Sequence, residues 1–282
     1  MYGNLTEKEK EGLVFFGENY LDELGYSVVA EIGSGSSGIV YKGWHKRLQK
    51  DIVIKELVGG VVNTIEVCKN EVEAIKNIKN MHIPQVYDFV MDQDRSFTVM
   101  EYIDGFNLDK HLRKKRSFAK QVVCKWYYQL ASALEALHKY DVCHRDIKPS
   151  NIILCNDGDV YLVDFNSARV RGNYTGVVSR SIGYASPEQQ AYFMMCAENR
   201  NNYRISSVDW KLSDIFSLGA TMYHALIGKR PPVLVDENIT LFDENGKTGE
   251  IEKIIERSMR INPQERYSSA RELRTMILRV KL

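Results

Sequence analysis

The stretch from Cys143 to Leu154 reads Cys-His-Arg-Asp-Ile-Lys-Pro-Ser-Asn-Ile-Ile-Leu, and the interpretation of the whole chain starts from it. Asp146, Lys148 and Asn151 lie within six residues, and an apolar run follows them directly. A loop that only connects two elements needs turn-forming residues and little else. This density of charged and amide groups beside a strand therefore predicts a functional site. The alternative is a polar turn whose groups satisfy one another.

The residues that follow predict a β-hairpin that brings a second carboxylate to the same place. Residues 152–154 read as a short strand, residues 156–158 (Asn-Asp-Gly) as a turn, and residues 160–163 as the returning strand. The return places Asp164, after the second strand, beside Asn151 at the start of the first. Oxygen ligands with open positions suit Mg²⁺, which completes its shell with water and substrate phosphates.

Composition and charge exclude several classes of protein. The 282 residues can form one large domain or two lobes. Lysine plus arginine (38) nearly balance aspartate plus glutamate (37), so we expect no nucleic-acid partner. No apolar run is long enough to cross a bilayer, and the charged N-terminus is unlike a signal peptide. The five cysteines are scattered without a C-x-x-C pair, which predicts reduced thiols in a cytoplasmic protein.

The loop and the hairpin together resemble a known family. The run His-Arg-Asp-Ile-Lys-Pro-Ser-Asn at 144–151, followed by Asp-Phe-Asn at 164–166, resembles the catalytic loop and metal-binding triplet of protein kinases. The resemblance implies an α+β, two-lobed fold, with ATP between a small antiparallel-sheet lobe and a mainly helical large lobe. The predicted divisions are an N-terminal helical extension over 1–25 and a kinase domain over 26–282, with its small lobe at 26–103 and its large lobe at 104–282.

The resemblance also implies roles for the residues of the loop. Asp146 would accept the proton of a substrate hydroxyl, and Lys148 would neutralise charge on the transferred phosphoryl group. Asn151 and Asp164 would hold Mg²⁺. Lys148 resembles the serine/threonine branch of the family, and the ending Ser-Pro-Glu-Gln at 186–189 resembles bacterial members. The implied cofactors are ATP and Mg²⁺, and the implied partners are a protein substrate and a second copy in a transient homodimer during autophosphorylation.

A glycine-rich segment between two predicted strands, at 26–32 and 39–43, resembles the loop that covers the ATP phosphates in kinases. A dinucleotide-binding fingerprint would instead continue into a helix. Small residues let backbone N–H groups approach phosphates without side chains in the way. A flexible hairpin with no ligand is the alternative. The tip consists of Gly33, Ser34, Gly35, Ser36, Ser37 and Gly38.

Lys55, in a predicted strand over 51–57, needs a partner if it belongs to the site. Glu71 lies on the apolar stripe of a predicted helix over 63–79, four residues from an apolar residue on either side. A carboxylate on a buried face is costly unless it is paired. Lys55 and Glu71 match the strand-lysine and helix-glutamate pair of the family, which orients the phosphates. Glu73 is the alternative partner, but it falls off the stripe.

The family assigns the remaining nucleotide contacts to residues near two further predicted strands, at 86–89 and 96–102. Met100 would lie at the back of the pocket, and the backbone of residues 101–103 would meet adenine at the hinge. Val53 stands where the family usually has alanine, which puts the width of the adenine slot in question. The complete predicted nucleotide set is Ile32, Gly33, Ser34, Gly35, Ser36, Ser37, Gly38, Val40, Val53, Lys55, Glu71, Met100, Glu101, Ile103 and Ile153.

Residues 181–189 resemble the family's T-x-G-Y-x-A-P-E stretch, with serine in two places. Glu188 would pair with Arg266, and Asp214 would anchor the backbone of the catalytic loop from a predicted helix over 208–227. The resemblance implies that the stretch at 181–189 and Arg266 shape a platform for a protein substrate. Three further segments are predicted: a bracing helix at 6–24, a buried helix at 119–140, and an insertion on the substrate side at 192–206.

Arg145 precedes the catalytic aspartate, and in the family such an arginine meets a phosphate on the activation segment. Three hydroxyls are candidates for this phosphate. Ser181 lies where the family's residue contacts the catalytic aspartate and lysine, and Ser179 is only two residues away. We therefore predict Thr175 as the phosphorylated residue. A segment ordered by packing alone is the alternative.

Two other functions stay open at this point. One is a pseudokinase, an ATP-binding or empty scaffold that acts by interaction, supported by Val53 and by Asn166 in the metal-binding triplet. The other is a small-molecule phosphotransferase, which shares the catalytic aspartate and asparagine. The stretch at 181–189 and Arg266 argue against the second, because they shape a platform for a protein.

Overall fold

The computed structural model describes residues 18–35, 38–57, 72, 75–92, 95–114, 117–170, 181–197, 208–234, 241–242 and 249–281. Contacts divide the chain into two compact units. The first consists of Met1–Cys68 and Tyr87–Tyr102, and the second of Lys69–Val86 and Ile103–Leu282. Residues 69–86 belong to the small lobe in the division predicted from the sequence. In the structure, Ile75, Ile78 and Ile83 pack into the core of the second unit.

The first unit is built on a five-stranded sheet in the order β1-β2-β3-β5-β4. The pairs β1–β2, β2–β3 and β3–β5 are antiparallel, as the resemblance to protein kinases implies. One face of the sheet carries a core of fully or nearly fully buried side chains that includes Tyr41, Ile52, Ile54, Phe97 and Val99. The strands are β1 (Tyr26–Gly35), β2 (Gly38–His45), β3 (Lys50–Leu57), β4 (Val86–Asp92) and β5 (Arg95–Glu101).

A short helix, α1 (Glu18–Glu23), precedes this sheet and contacts β1. Leu21 has no exposed surface and belongs to the apolar core of the first unit. Burying a leucine completely contributes about 1.5–3 kcal/mol to the stability of the fold. Helix α1 therefore braces the sheet, as predicted. The earlier part of the predicted helix, residues 6–17, lies outside the described residues.

The second unit is mainly helical and has the larger apolar core. Helix α3 lies at its centre, because most of its faces are apolar and therefore buried, and it contacts α5, α7 and β9. The remaining strands form two small sheets, with pairings β6-β8-β9 and β7-β10. In order, the elements are β6 (Gly105–Asn107), α2 (Leu108–Lys114), α3 (Lys120–Lys139), β7 (Val142–Cys143), a 3₁₀ turn (Pro149–Asn151), β8 (Ile152–Cys155), β9 (Val160–Leu162), β10 (Arg169–Val170), α4 (Pro187–Ala197), α5 (Trp210–Ile227), α6 (Glu250–Ser258), a 3₁₀ turn (Pro263–Glu265) and α7 (Ala270–Leu278).

Helix α5 has well-defined ends. The side chain of Asp209 accepts hydrogen bonds from the backbone N–H groups of Lys211 and Leu212, which lack partners within the helix. Gly228 ends the helix in the left-handed region, at φ 74°, where a glycine costs little. These two ends fix the helix that carries Asp214. In the described parts of the chain, no helix is both long and apolar enough to cross a membrane.

One predicted boundary is wrong. The helix predicted over 63–79 is helical at Val72 and Ile75, but the chain turns at residues 76–77. The backbone N–H of Ile78 bonds to the carbonyl of Ile75, and this turn lets Ile78 reach the core. Residues 192–197 of the predicted insertion form the end of α4, where Tyr192 packs edge-on against the ring of Trp210 at 5.4 Å. Glu71, Glu73 and residues 198–207 lie outside the described residues.

Candidate active site

The carboxylate of Asp146 is the meeting point of three polar side chains. Lys148 Nζ donates to its Oδ2 at 2.7 Å, and Ser181 Oγ donates to its Oδ1 at 2.8 Å. Lys148 is also 3.2 Å from Ser181 Oγ. Asn151 Nδ2 donates to the same Oδ2 at 3.1 Å and to the Asp146 carbonyl at 2.9 Å. The predicted catalytic pair and one predicted metal ligand therefore lie together.

Asp214 holds the backbone of this loop from helix α5. Its two carboxylate oxygens accept from the N–H groups of His144 and Arg145, both at 2.8 Å. His138 of α3 adds a third contact, with Nε2 at 3.1 Å from Oδ2. Asp214 is 1% exposed, so these three hydrogen bonds take the place of those that water would make to its carboxylate. They also stabilise Arg145 at φ 66°, a backbone conformation that a non-glycine residue rarely adopts.

The predicted hairpin is present and brings the two predicted metal ligands to neighbouring positions. Ile152 in β8 pairs with Leu162 in β9, and the N–H of Val163 donates to the carbonyl of Asn151 at 2.9 Å. Asp164, the residue after Val163, therefore lies next to Asn151. Because the Asn151 amide nitrogen is engaged by Asp146, its Oδ1 is directed elsewhere, where it accepts from Ser150 Oγ at 3.3 Å. One carboxylate and one amide oxygen form a donor set that fits Mg²⁺.

The Asp-Phe-Asn triplet differs from the expectation in one respect. The family has glycine at residue 166, and asparagine is among the few other residues that adopt positive φ readily, so a left-handed backbone is predicted at Asn166. The structure instead has it at Asp164, at φ 65°, and Asn166 is not among the residues with positive φ. Phe165 is buried and packs against the ring of His144 at 5.0 Å, and this packing fixes the backbone of the triplet. Asn166 therefore meets no backbone strain of the kind that favours glycine.

Four predicted nucleotide-binding side chains lie on one face of the first unit's sheet. Val40 in β2 is opposite Lys55 in β3, and Val53 in β3 is opposite Met100 in β5. Opposite residues in an antiparallel pair share a face, as do residues two apart in a strand. This face is the one opposite the apolar core. Lys55 is 6% exposed even so, which shows that its surroundings exclude water.

The glycine-rich hairpin also forms as predicted, since Gly35 pairs with Gly38 across its tip. A side chain at Gly33 would meet no atom within 4 Å, so the backbone face there is open. Ile32 is 46% exposed beside it. Ser36 and Ser37, at the tip, lie outside the described residues. An open backbone face at this position would let the loop approach phosphates, as predicted from the sequence.

Three other predicted residues lie near the ends of strands. Glu101, the last residue of β5, is opposite Ile52 and thus on the core face, which leaves its backbone as the candidate contact for a base. Ile103 belongs to the second unit and is buried. Ile153 in β8 is half-buried between Asn107 of β6 and Tyr161 of β9.

Comparisons with known proteins agree with this geometry. A sequence profile of the protein kinase domain matches residues 26–281. The chain belongs to the protein kinase family. It is 28% identical over 271 residues to a probable serine/threonine-protein kinase of Clostridium perfringens, which covers 88% of this chain and 37% of that protein. It is 32% identical to the serine/threonine-protein kinase ULK3 of Xenopus laevis, over 73% of this chain and 42% of that one.

A third relative is the serine/threonine-protein kinase PknL of Mycobacterium tuberculosis, 30% identical over 76% of this chain and 52% of PknL. The chain thus spans between 37% and 52% of the length of these three relatives. The α+β, two-lobed kinase fold predicted from the sequence is confirmed. Membership of the family implies ATP as a substrate, typically with Mg²⁺, and proteins as phosphoryl acceptors.

Arg145, the predicted phosphate ligand of this kinase domain, has no exposed surface. Its guanidinium carbon lies 4.5 Å from the centre of the Trp210 ring. Within the described residues, none of its three guanidinium nitrogens has a hydrogen-bond partner. Burial and the nearby charge of Arg169 lower the pKa of Arg145 to about 10. The charge of Asp214 acts in the opposite direction on this pKa, but no carboxylate of the described residues is hydrogen-bonded to the guanidinium. Thr175 and Ser179 lie outside the described residues.

Several residues with polar contacts around the predicted site were not predicted from the sequence. His138 is one, although a histidine on an otherwise buried helix face is a signal for a polar partner. His144 is another, because its Nδ1 accepts from the N–H of Asp146 at 3.3 Å and its Nε2 is 3.2 Å from the carbonyl of Val163. Gln189 Nε2 donates to the carbonyl of Arg145 at 2.8 Å. The fourth is His224, whose Nδ1 is hydrogen-bonded to the hydroxyl of Tyr184.

Proposed function

We propose that this chain transfers the γ-phosphoryl group of ATP to serine or threonine hydroxyls of protein substrates. The observation that carries the proposal is the hydrogen bond from Ser181 Oγ to Asp146 Oδ1. A serine hydroxyl lies in contact with the carboxylate that would accept its proton. Lys148 lies within hydrogen-bond distance of both groups, which places a positive charge where phosphate oxygens would gather.

The residues of the site then have separate tasks. Asp146 orients the substrate hydroxyl and accepts its proton, and Asp214 holds the loop that carries Asp146 in place. Lys148 stabilises negative charge on the transferred group. Asn151 and Asp164 would hold Mg²⁺, which supplies neutralisation of the phosphate charge when it is bound. Each task depends on position and charge, and none of them needs a covalent intermediate on the protein.

The nucleotide is expected on the face of the first unit's sheet that carries Val40, Val53, Lys55 and Met100. Burying the charged end of a lysine is costly, and ATP phosphates together with Glu71 would offset that cost. The backbone of the glycine-rich hairpin would meet the phosphates. Autophosphorylation through a transient homodimer and a cytoplasmic location stay predictions.

Three lines of support favour serine and threonine as acceptors. The three relatives reported above are all named as serine/threonine kinases. Lys148 in the catalytic loop resembles the serine/threonine branch. The Ser181 contact shows that the loop accommodates an aliphatic hydroxyl next to Asp146.

The acceptor class is tested by transfer of labelled phosphate from ATP with Mg²⁺. A generic protein and a panel of small alcohols are offered in parallel, and labelled amino acids are identified by mass spectrometry. We expect label on serine or threonine of the protein. Label on small alcohols alone would favour a small-molecule phosphotransferase. Retained ATP binding without any transfer would favour a pseudokinase.

A further inference from the structure

Tyr184 and His224 form a short hydrogen bond inside the second unit. Tyr184 Oη lies 2.6 Å from His224 Nδ1. The two residues are 7% and 8% exposed. Two buried polar groups are costly unless they satisfy each other, so this bond fixes the relative position of the segments that carry them. Tyr184 follows Ser181 by three residues, and His224 lies in the last turns of α5.

The segment that Tyr184 belongs to is a closed turn that reaches Asp146. The carbonyl of Ser181 accepts from the N–H groups of both Tyr184 and Ala185, each at 2.9 Å. The side chain of Ser181 donates to Asp146 at the other end of the turn. Gly183 at φ 85° lies so close to Pro231 that a side chain there would meet its carbonyl at 2.8 Å. A shift of Tyr184 would therefore move Ser181.

The hydrogen bond has one consistent direction at neutral pH. Burial lowers the pKa of His224, Arg230 lowers it further, and Asp109 opposes them. Burial raises the pKa of Tyr184 to about 12, so both groups are neutral. If Nδ1 carried the imidazole hydrogen, the tyrosine hydroxyl would need another acceptor, and the described residues offer none. Tyr184 therefore donates, and the hydrogen of His224 is on Nε2.

We propose that Tyr184 and His224 are positioning residues for phosphoryl transfer, and that their hydrogen bond holds the Ser181–Ala185 turn against Asp146 only while His224 is neutral. This inference rests on the proposed function. A protonated His224 has no lone pair at Nδ1, so the tyrosine hydroxyl loses its acceptor. The turn then loses its tether to α5, and use of a protein substrate falls as the pH is lowered.

The test measures kcat and KM separately for a protein substrate and for ATP. The variants are Tyr184→Phe, His224→Leu, their combination, and His224→Asn, which keeps an acceptor near the position of Nδ1. We expect kcat/KM for the protein to fall about tenfold in each single variant, since an unpaired buried group is left behind. The double variant should lose no more than the singles, and His224→Asn should retain most of the wild-type value. KM for ATP should not change.

Tyr223→Phe is the matched control, because its ring lies on the same helix and its hydroxyl has no hydrogen-bond partner among the described residues. We expect it to behave as wild type. Additive losses in the double variant would overturn the proposal, as would losses in the singles no larger than that of Tyr223→Phe. A fall in melting temperature with unchanged kcat/KM would show a purely structural role and would equally overturn it.

A second measurement does not depend on turnover. Two-bond ¹H–¹⁵N spectra of the wild-type protein report which imidazole nitrogen of His224 carries the hydrogen. We expect Nε2 at pH 7.5, and a hydrogen on Nδ1 would contradict the assigned bond. Wild-type protein that transfers no phosphate would overturn the proposed function while this spectrum still tests the bond. Normal transfer by both single variants would overturn only the present inference.

Discussion

Arg266 donates two parallel hydrogen bonds to the carboxylate of Glu188, from Nη1 to Oε1 at 2.6 Å and from Nη2 to Oε2 at 2.9 Å. The arginine side chain has no exposed surface, and it also donates to the carbonyls of Leu212, Arg260 and Ile261. It thereby joins the first turn of α4 to the chain before α7. The pair that the family resemblance predicts is thus a central connection of the second unit.

Arg266→Met is expected to destabilise the protein by about 3–5 kcal/mol, because it leaves the Glu188 carboxylate without its partner in a mostly buried site. Urea unfolding of the wild type and the variant gives the free-energy difference. Arg271→Met is the matched control, since Arg271 is 77% exposed where it pairs with Glu135. Its loss should be about 1 kcal/mol or less. Similar losses in both variants would contradict this account.

Glu71→Gln is expected to lower phosphoryl transfer at least about a hundredfold, because Lys55 would lose the carboxylate that orients it. Glu73→Gln, two residues away, should leave the transfer rate unchanged. Initial rates with saturating Mg²⁺ and ATP give the comparison. Equal losses in the two variants would mean that the predicted helix presents a different face to Lys55.

Asn166→Gly is expected to change the transfer rate by less than about tenfold. The positive φ of the triplet lies at Asp164, so glycine at 166 relieves no strain of that kind. Steady-state kinetics of the two proteins, with Mg²⁺ titrated over a wide range, tests this. A gain of several orders of magnitude would show that the native triplet disables the enzyme, as the pseudokinase alternative holds.

Incubation with ATP and Mg²⁺ is expected to place phosphate on Thr175. A phosphate carries nearly two negative charges and three acceptor oxygens, which suits the buried guanidinium of Arg145. Mass spectrometry locates the phosphate, and Thr175→Ala should lower turnover of a protein substrate. Ser179→Ala is the matched control and should keep the wild-type rate. Full activity in Thr175→Ala, or phosphate found only elsewhere, would refute the assignment.

Local patterns were enough to predict most of the elements that carry the site. The hairpin that aligns Asn151 with Asp164 was predictable because both strands and the turn lie within a dozen residues. The sheet face with Val53 and Lys55 follows from simple alternation along one strand. The contacts of Asp146 with Lys148 and Ser181 came from the family resemblance rather than from periodicity.

Contacts between distant segments were harder to predict. His138 meets Asp214 across 76 residues and Tyr184 meets His224 across 40, and no periodic pattern pairs such residues. The backbone of Asn166 was mispredicted because the packing of Phe165 on His144 sets the triplet's conformation. These details depend on tertiary packing, which sequence spacing does not report.

The most direct test of the central claim, that Asp146 accepts the proton of a protein hydroxyl, is the single-turnover rate of Asp146→Asn with saturating ATP and Mg²⁺. Asparagine keeps the shape and removes the charge, so we predict a fall of about 10²–10⁴-fold, the usual contribution of a general base. Asp157→Asn, an exposed residue of the nearby hairpin turn, is the control and should match the wild type. A rate for Asp146→Asn within tenfold of wild type would contradict the claim.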